Sequence, residues 1–231
     1  VRAGNDVASI ESFCMGVLEA VAGIVAVVKP QSACFERYGG AGFSVLERVC
    51  ARAKDLGLFV ILDAKRGDIG VTGEHYAEMA FGVMGADAVT VSPYMGFDTL
   101  EPMRREGRMT FALARTSNPG SDAVQSVRAE GGTVAETIAR GLAAMGRSSV
   151  GAHGWSDLGA VVAATKPEDA AKMRELMPEQ IFLVPGFGAQ GGTVETVREL
   201  FVDGAGAVIN ASRSVLYPDG DSGDWSGRVR A

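Results

Sequence analysis

Short runs of apolar, largely β-branched residues recur along this 231-residue chain, and between them lie stretches whose apolar residues return every three or four positions. The runs lie at 23–29 (GIVAVVK), 58–63 (LFVILD), 86–92 (ADAVTVS), 109–115 (MTFALAR), 158–165 (LGAVVAAT), 181–186 (IFLVPG) and 205–211 (AGAVINA). Amphipathic stretches at 7–22, 41–56, 133–146 and 168–177 have helical spacing. Strands that are apolar on both faces and alternate with helices indicate a parallel sheet covered by helices. Seven such strands, with a helix at 7–22 ahead of the first, predict a (β/α)8 TIM barrel as a single domain over residues 1–231. Its first strand is then expected upstream of Val1. A doubly wound open sheet is the alternative; it expects a Gly-rich fingerprint after an early strand, and none is visible there.

An apolar content of 47% is ample for a core of this size. The net charge of -6 leaves no basic footprint for nucleic acid or an anionic membrane, so an anionic ligand has to be gripped locally by Lys, Arg and backbone N–H groups. With only His75 and His153, the chain is poorly equipped for a multi-histidine metal site or a Ser-His-Asp triad. Its chemistry has to run on Lys and Asp, and both histidines read as surface residues. Cys14, Cys34 and Cys50 show no CxxC pattern, and their odd number argues against a disulfide framework. They read as reduced core thiols of a cytoplasmic protein. No apolar run approaches the roughly 20 residues that span a bilayer, and no signal segment is visible at the start.

The run at 58–63 continues into AKRGDIG, so four charged residues, Asp63, Lys65, Arg66 and Asp68, fall within six positions. Residues two apart on a strand share a face, which points Asp63 and Lys65 the same way. Lys29 ends the preceding strand and is expected beside them; Arg66, of opposite parity, reads as a structural or interface ion pair. A salt-bridge network closing the barrel is the bland explanation. Against it, burying several charges costs several kcal/mol unless they are mutually paired, which is more often tolerated at a functional site. Polar residues also follow the other apolar runs, Ser92, Thr116, Ser117, Thr165, Ser212 and Arg213, as does Pro185 with its glycines. That end of the strands is the catalytic face of a TIM barrel. PGFGAQGG (185–192) offers a loop rich in N–H groups after one strand and Arg213 follows the next, the two places where such barrels hold phosphate. Gly186, Gly188 and Gly191 permit close approach to an anion, and Gln190 and Arg213 can bond its oxygens.

DAKRGDI followed by Thr72 resembles the D-x-K-x-x-D-I-x-x-T signature of the orotidine 5'-monophosphate decarboxylases. VAVVKPQSACFERYG (25–39), VTVSPYMG (89–96), ARTSNPGS (114–121), LVPGFGAQGG (183–192) and NASRSVLYP (210–218) resemble the longer bacterial subfamily, so the likeness runs from about residue 7 to 218. It implies a cofactor-free conversion of orotidine 5'-monophosphate (OMP) to UMP and CO2, with Lys29, Asp63, Lys65 and Asp68 as a charged tetrad. Lys65 is then the proton donor to carbon 6. Asp68, Ile69 and Thr72 are implied to come from the other subunit of a homodimer. Ser117 is implied to bond the pyrimidine edge, Gln190 to reach between phosphate and base, and Pro185, Gly188 and Arg213 to line the phosphate site. The family's ribose-binding Asp, in a G-I/L-D-P motif on strand one, does not occur in these residues. From the residues alone, TSNPG is equally a turn or helix cap. Two alternatives stay open: a metal-assisted sugar-phosphate decarboxylase or aldolase sharing DxKxxD, and a non-catalytic nucleotide-phosphate binder.

Overall fold

The structure, a computed structural model, describes residues 6–165, 167–187, 191–217 and 225–230. In chain order the elements are α1 (Val7–Val21), β1 (Val27–Val28), α2 (Ala33–Glu36), α3 (Gly39–Asp55), β2 (Phe59–Arg66), α4 (Gly70–Ala77), β3 (Ala88–Val91) and β4 (Met109–Arg115). Then follow α5 (Asp122–Gln125), β5 (Arg128–Ala129), β6 (Gly132–Thr133), α6 (Val134–Gly146), β7 (Ser156–Val162), α7 (Pro167–Leu176), β8 (Gln180–Val184), α8 (Val194–Arg198), β9 (Ala207–Ile209), α9 (Arg213–Leu216) and α10 (Trp225–Arg230). Each apolar run contains one strand of a seven-stranded sheet of order β1-β2-β3-β4-β7-β8-β9. The β1–β2, β4–β7, β7–β8 and β8–β9 pairings are parallel, and β5 and β6 form a separate antiparallel pair. This is an α/β fold in which sequence neighbours are sheet neighbours.

The 23–29 run is strand only at Val27–Val28. Gly23, at a φ of 75°, turns the chain out of α1, and the N–H groups of Ile24 and Val25 both donate to the Val21 carbonyl. Those donors are spent on closing the helix, so strand pairing starts later.

The chain packs as two compact units. The first comprises Val1–Ala64, His75–Val89 and Ser212–Ala231. In it α1 and α3 share a core with Leu18, Val21, Val45, Leu46 and Val49 buried. Glu11–Arg48 (2.6 Å) and Glu19–Arg52 (2.5 Å) link the two helices at their rim. Asp6 caps α1, accepting from the Ser9 N–H at 2.8 Å, and that bond holds its carboxyl below the usual range. α10 lies on α1, with the Trp225 ring 5.5 Å from that of Phe13.

The second unit comprises Lys65–Glu74 and Thr90–Ala211. Phe111, Leu142, Leu158, Met173, Met177, Phe182 and Leu200 are fully buried there. Arg174, only 9% exposed, donates to the carbonyls of Met177 (2.9 Å), Gln180 (2.8 Å), Leu200 (2.8 Å) and Gly206 (2.8 Å), and lies 3.7 Å over the Phe182 ring. Burial pulls its pKa down to about 10, and the four carbonyls replace the water it has lost. This arginine thus ties α7 to the start of β8 and to the approach to β9.

All three cysteines are free. Cys50 is buried and Cys14 half-buried: burial pushes the Cys50 thiol up to about 12, and burial followed by the nearby Cys34 pushes Cys14 up to about 11. Cys34 is exposed, which corrects its reading as a core thiol. The four-residue α2 turns Phe35 inward, and its neighbour Cys34 consequently faces out. No helix among the described residues is long and apolar enough to cross a membrane.

Candidate active site

In the first unit, Lys29 and Asp63 form an ion pair with side chains 12% and 6% exposed. Lys29 follows β1 directly. The Asp63 backbone is anchored on both sides, its N–H donating to the Pro30 carbonyl (3.0 Å) and its carbonyl accepting from the Ser32 N–H (3.1 Å). The loop after β1 therefore holds Asp63 at the position where Lys29 meets it. Two expected tetrad members are brought together in this way.

Lys65 follows Asp63 by two residues on β2 but has a φ of 49°. The chain leaves the extended region at this residue, so strand alternation no longer determines where its side chain points. That corrects the parity argument for Asp63 and Lys65. Left-handed backbone at a non-glycine residue costs on the order of 1–2 kcal/mol and concentrates at functional sites. In the second unit the Lys65 N–H donates to the Thr90 hydroxyl at 3.0 Å, and the Arg66 carbonyl accepts from Ser92 at 2.7 Å. Gly67 passes so close to the Ser92 carbonyl that a Cβ there would lie 2.6 Å from the oxygen. Thr90, 1% exposed, was not singled out from sequence, although a polar residue inside VTVS was the available signal.

Asp68, half-buried, accepts from the N–H of Ile69 at 2.9 Å. Ile69 and Val71 are 58% and 66% exposed, and Thr72 is exposed as well. Two large apolar side chains thus stand in the open beside an acidic residue.

Ser117, half-buried, lies just past β4. The last residue of β4 is Arg115, 4% exposed, next to a register irregularity between Leu113 and Arg115. Its guanidinium pairs with Asp122 and with Asp169 (2.7 Å), and also bonds Ser121, Gln125 and Ser126 at 3.2 to 3.3 Å. Burial works against its charge, but the hydrogen bonds it donates to Asp122 and Asp169 outweigh it and hold the pKa above the ordinary value. Sequence reasoning passed over Arg115, although it closes the 109–115 apolar run as Asp63 closes that at 58–63. The Thr116 N–H and hydroxyl are engaged within the same network, with Gln125 and Asn118.

Pro185 follows β8, and its carbonyl accepts from Ala164 at 3.1 Å. The Gly186 carbonyl accepts from the Gly192 N–H at 3.0 Å, and a Cβ on Gly192 would lie 2.7 Å from that oxygen. Gly188 and Gln190 lie outside the described residues. Arg213 is exposed and opens the four-residue α9 in the first unit. His75 and His153 are exposed. Among the described residues, no cluster of three or more His, Cys, Asp or Glu side chains could hold a metal ion.

The chain is similar to proteins of known kind. It is 40% identical to orotidine 5'-phosphate decarboxylase of Rhodopirellula baltica, covering 100% of this chain and 83% of the relative. It is 44% identical to the Deinococcus radiodurans enzyme of the same name, covering 94% and 80%. Among solved structures, Leishmania donovani OMP decarboxylase superposes with a TM-score of 0.82 at 33% identity, over 98% of this chain and 86% of that one. The Methanocaldococcus jannaschii enzyme, solved with the inhibitor BMP, shares the fold at 18% identity, with a TM-score of 0.73 over 95% and 90%. Residues 3–222 match the model of the orotidine 5'-phosphate decarboxylase / HUMPS family, and the chain belongs to that family.

Proposed function

We infer that this chain is a carboxy-lyase that decarboxylates orotidine 5'-monophosphate to UMP and CO2 in pyrimidine biosynthesis. The observation that carries the reading is β2, where Asp63, buried and paired to Lys29, is followed two residues later by Lys65 in a strained backbone conformation. Breaking the carbon–carbon bond at C6 of the pyrimidine leaves an electron pair in the ring plane, where the π system cannot delocalise it. The Lys65 ammonium stabilises that developing charge and then gives C6 the proton that replaces CO2. Asp63 and Asp68 flank the ammonium, while Lys29 orients Asp63 and faces the ribose. No step needs a cofactor. Pro185, Gly188, Gln190 and Arg213 bind the phosphate, and binding of that remote group contributes to lowering the barrier at C6. Ser117 reads the pyrimidine edge.

The working frame is one (β/α)8 barrel domain over residues 1–231. Its support is the consecutive strand order and the half-exposed residues of β1 and β9 that end it, edges that an eighth strand would cover. Asp68, Ile69 and Thr72 serve the active site of a second copy in a homodimer, a role favoured by the exposed Ile69 and Val71. The three free thiols suit a reducing cytoplasm.

The test is UMP formation from OMP by the purified chain, with and without EDTA. Turnover unaffected by EDTA, and a fall of about 10³-fold or more in kcat/KM for Lys65→Ala, are expected. Full UMP production by Lys65→Ala would overturn the catalytic assignment, and loss of activity in EDTA would favour a metal-assisted relative.

A further inference from the structure

The network around Arg115 is larger than an ion pair requires. Gln125 Oε1 accepts from Arg115 Nη1 (3.3 Å) and from the backbone N–H of Thr116 (2.9 Å), while Gln125 Nε2 donates to the Thr116 hydroxyl (2.9 Å). Ser121 Oγ accepts from Arg115 Nη1 (3.3 Å) and donates to the Thr116 carbonyl (3.2 Å). The Thr116 hydroxyl in turn donates to Asn118 Oδ1 at 2.8 Å. Both backbone polar groups of Thr116 and its side chain are thus held by residues of 118–125, and the two that hold the backbone hang on one guanidinium nitrogen. The Thr116 carbonyl belongs to the peptide that carries the Ser117 N–H. Pinning its oxygen sets the plane of that peptide, because the unit is rigid.

We propose that Arg115 is a positioning residue for base recognition: through Gln125 and Ser121 it orients the Thr116–Ser117 peptide, and so fixes where Ser117 presents its hydroxyl and N–H to the pyrimidine edge. This rests on the reading of Ser117 as a base contact. A buried arginine serving stability alone needs its carboxylates, Asp122 and Asp169, but not a nitrogen shared between the two side chains that grip the next residue. The planar fork is what allows one side chain to serve five partners; a lysine keeps the charge and cannot span them.

The experiment compares wild type, Arg115→Lys, Ser117→Ala and the double variant in OMP turnover, and in inhibition by UMP and by ribose 5-phosphate, which lacks the base. In Arg115→Lys, KM for OMP and Ki for UMP are expected to rise about tenfold with kcat changed far less, while Ki for ribose 5-phosphate stays put. In the Ser117→Ala background the Arg115→Lys effect on UMP is expected to shrink below about twofold, since one residue acts through the other. Equal weakening of both inhibitors, unchanged UMP affinity, or additive effects in the double variant would overturn the proposal. Should Arg115→Lys not fold, Gln125→Ala, on the half-buried face of the short α5, is expected to give the same UMP-selective loss, and the absence of that loss counts against the proposal equally. A wild-type chain that neither turns over OMP nor binds UMP overturns the functional reading itself; an active wild type with a silent Arg115→Lys overturns only this inference.

Discussion

Lys65 holds its left-handed backbone because the residues about it leave little choice: the Thr90 hydroxyl takes its N–H, and Gly67 two residues on fits against the Ser92 carbonyl. That charged residues gather on β2 was legible from the sequence, because apolar runs seldom end in four charges. The φ of 49° was not, since nothing in a lysine announces it. The thiols show the same division. A thiol reagent at pH 8 is expected to label Cys34 promptly, and Cys14 and Cys50 only after unfolding; rapid labelling of all three would contradict their burial. Because the folded-state pKa values of Cys14 and Cys50 lie above the ordinary 9.0, the unfolded chain releases those protons first. Their contribution to stability is full below about pH 9 and is lost as pH rises towards 11 to 12. Urea titrations between pH 8 and 10 should show a fall that is shallower in Cys50→Ala.

At the scale of elements, helix and strand positions followed from periodicity, and their ends from local chemistry. Thr133 caps α6 by accepting from the Glu136 N–H at 3.2 Å, so the stretch read as 133–146 forms a helix at Val134–Gly146. Thr133→Ala is expected to lower unfolding stability by about 1 kcal/mol, measured by chemical denaturation. Where elements touch, the requirement is steric. A Cβ on Gly42 in α3 would lie 1.9 Å from the Phe35 carbonyl oxygen of α2, so Gly42→Ala is expected to cost about 2–4 kcal/mol, seen as a lower Tm. From the sequence Gly42 was one glycine among 31, and nothing marked it as a contact.

For the whole molecule, the proposed sharing of active sites in a homodimer makes a quantitative prediction. Lys65→Ala and Asp68→Asn homodimers, each nearly inactive, are mixed and allowed to exchange subunits. Half of the dimers then become hybrids with one wild-type site each, so about a quarter of wild-type activity should return. No recovery on demonstrated exchange would place Asp68 in the same subunit's site as Lys65.

The sequence by itself determined the α/β alternation, the positions of the apolar strands and the family resemblance, because burial on both faces and helical spacing are written into residue order. It also marked Lys29, Asp63 and Lys65 as strand-end charges. Only the tertiary structure decided which of these meet and how. The closure of the Lys29–Asp63 pair depends on backbone bonds from a loop more than 30 residues away in sequence, as the pairing of Asp63 with Pro30 and Ser32 shows. The grip on Thr116 depends on a strand-end arginine that reaches Asp169, on a helix 54 residues further along. Such contacts bring together residues that are distant in the chain, and no local pattern records which partner a buried charge will find.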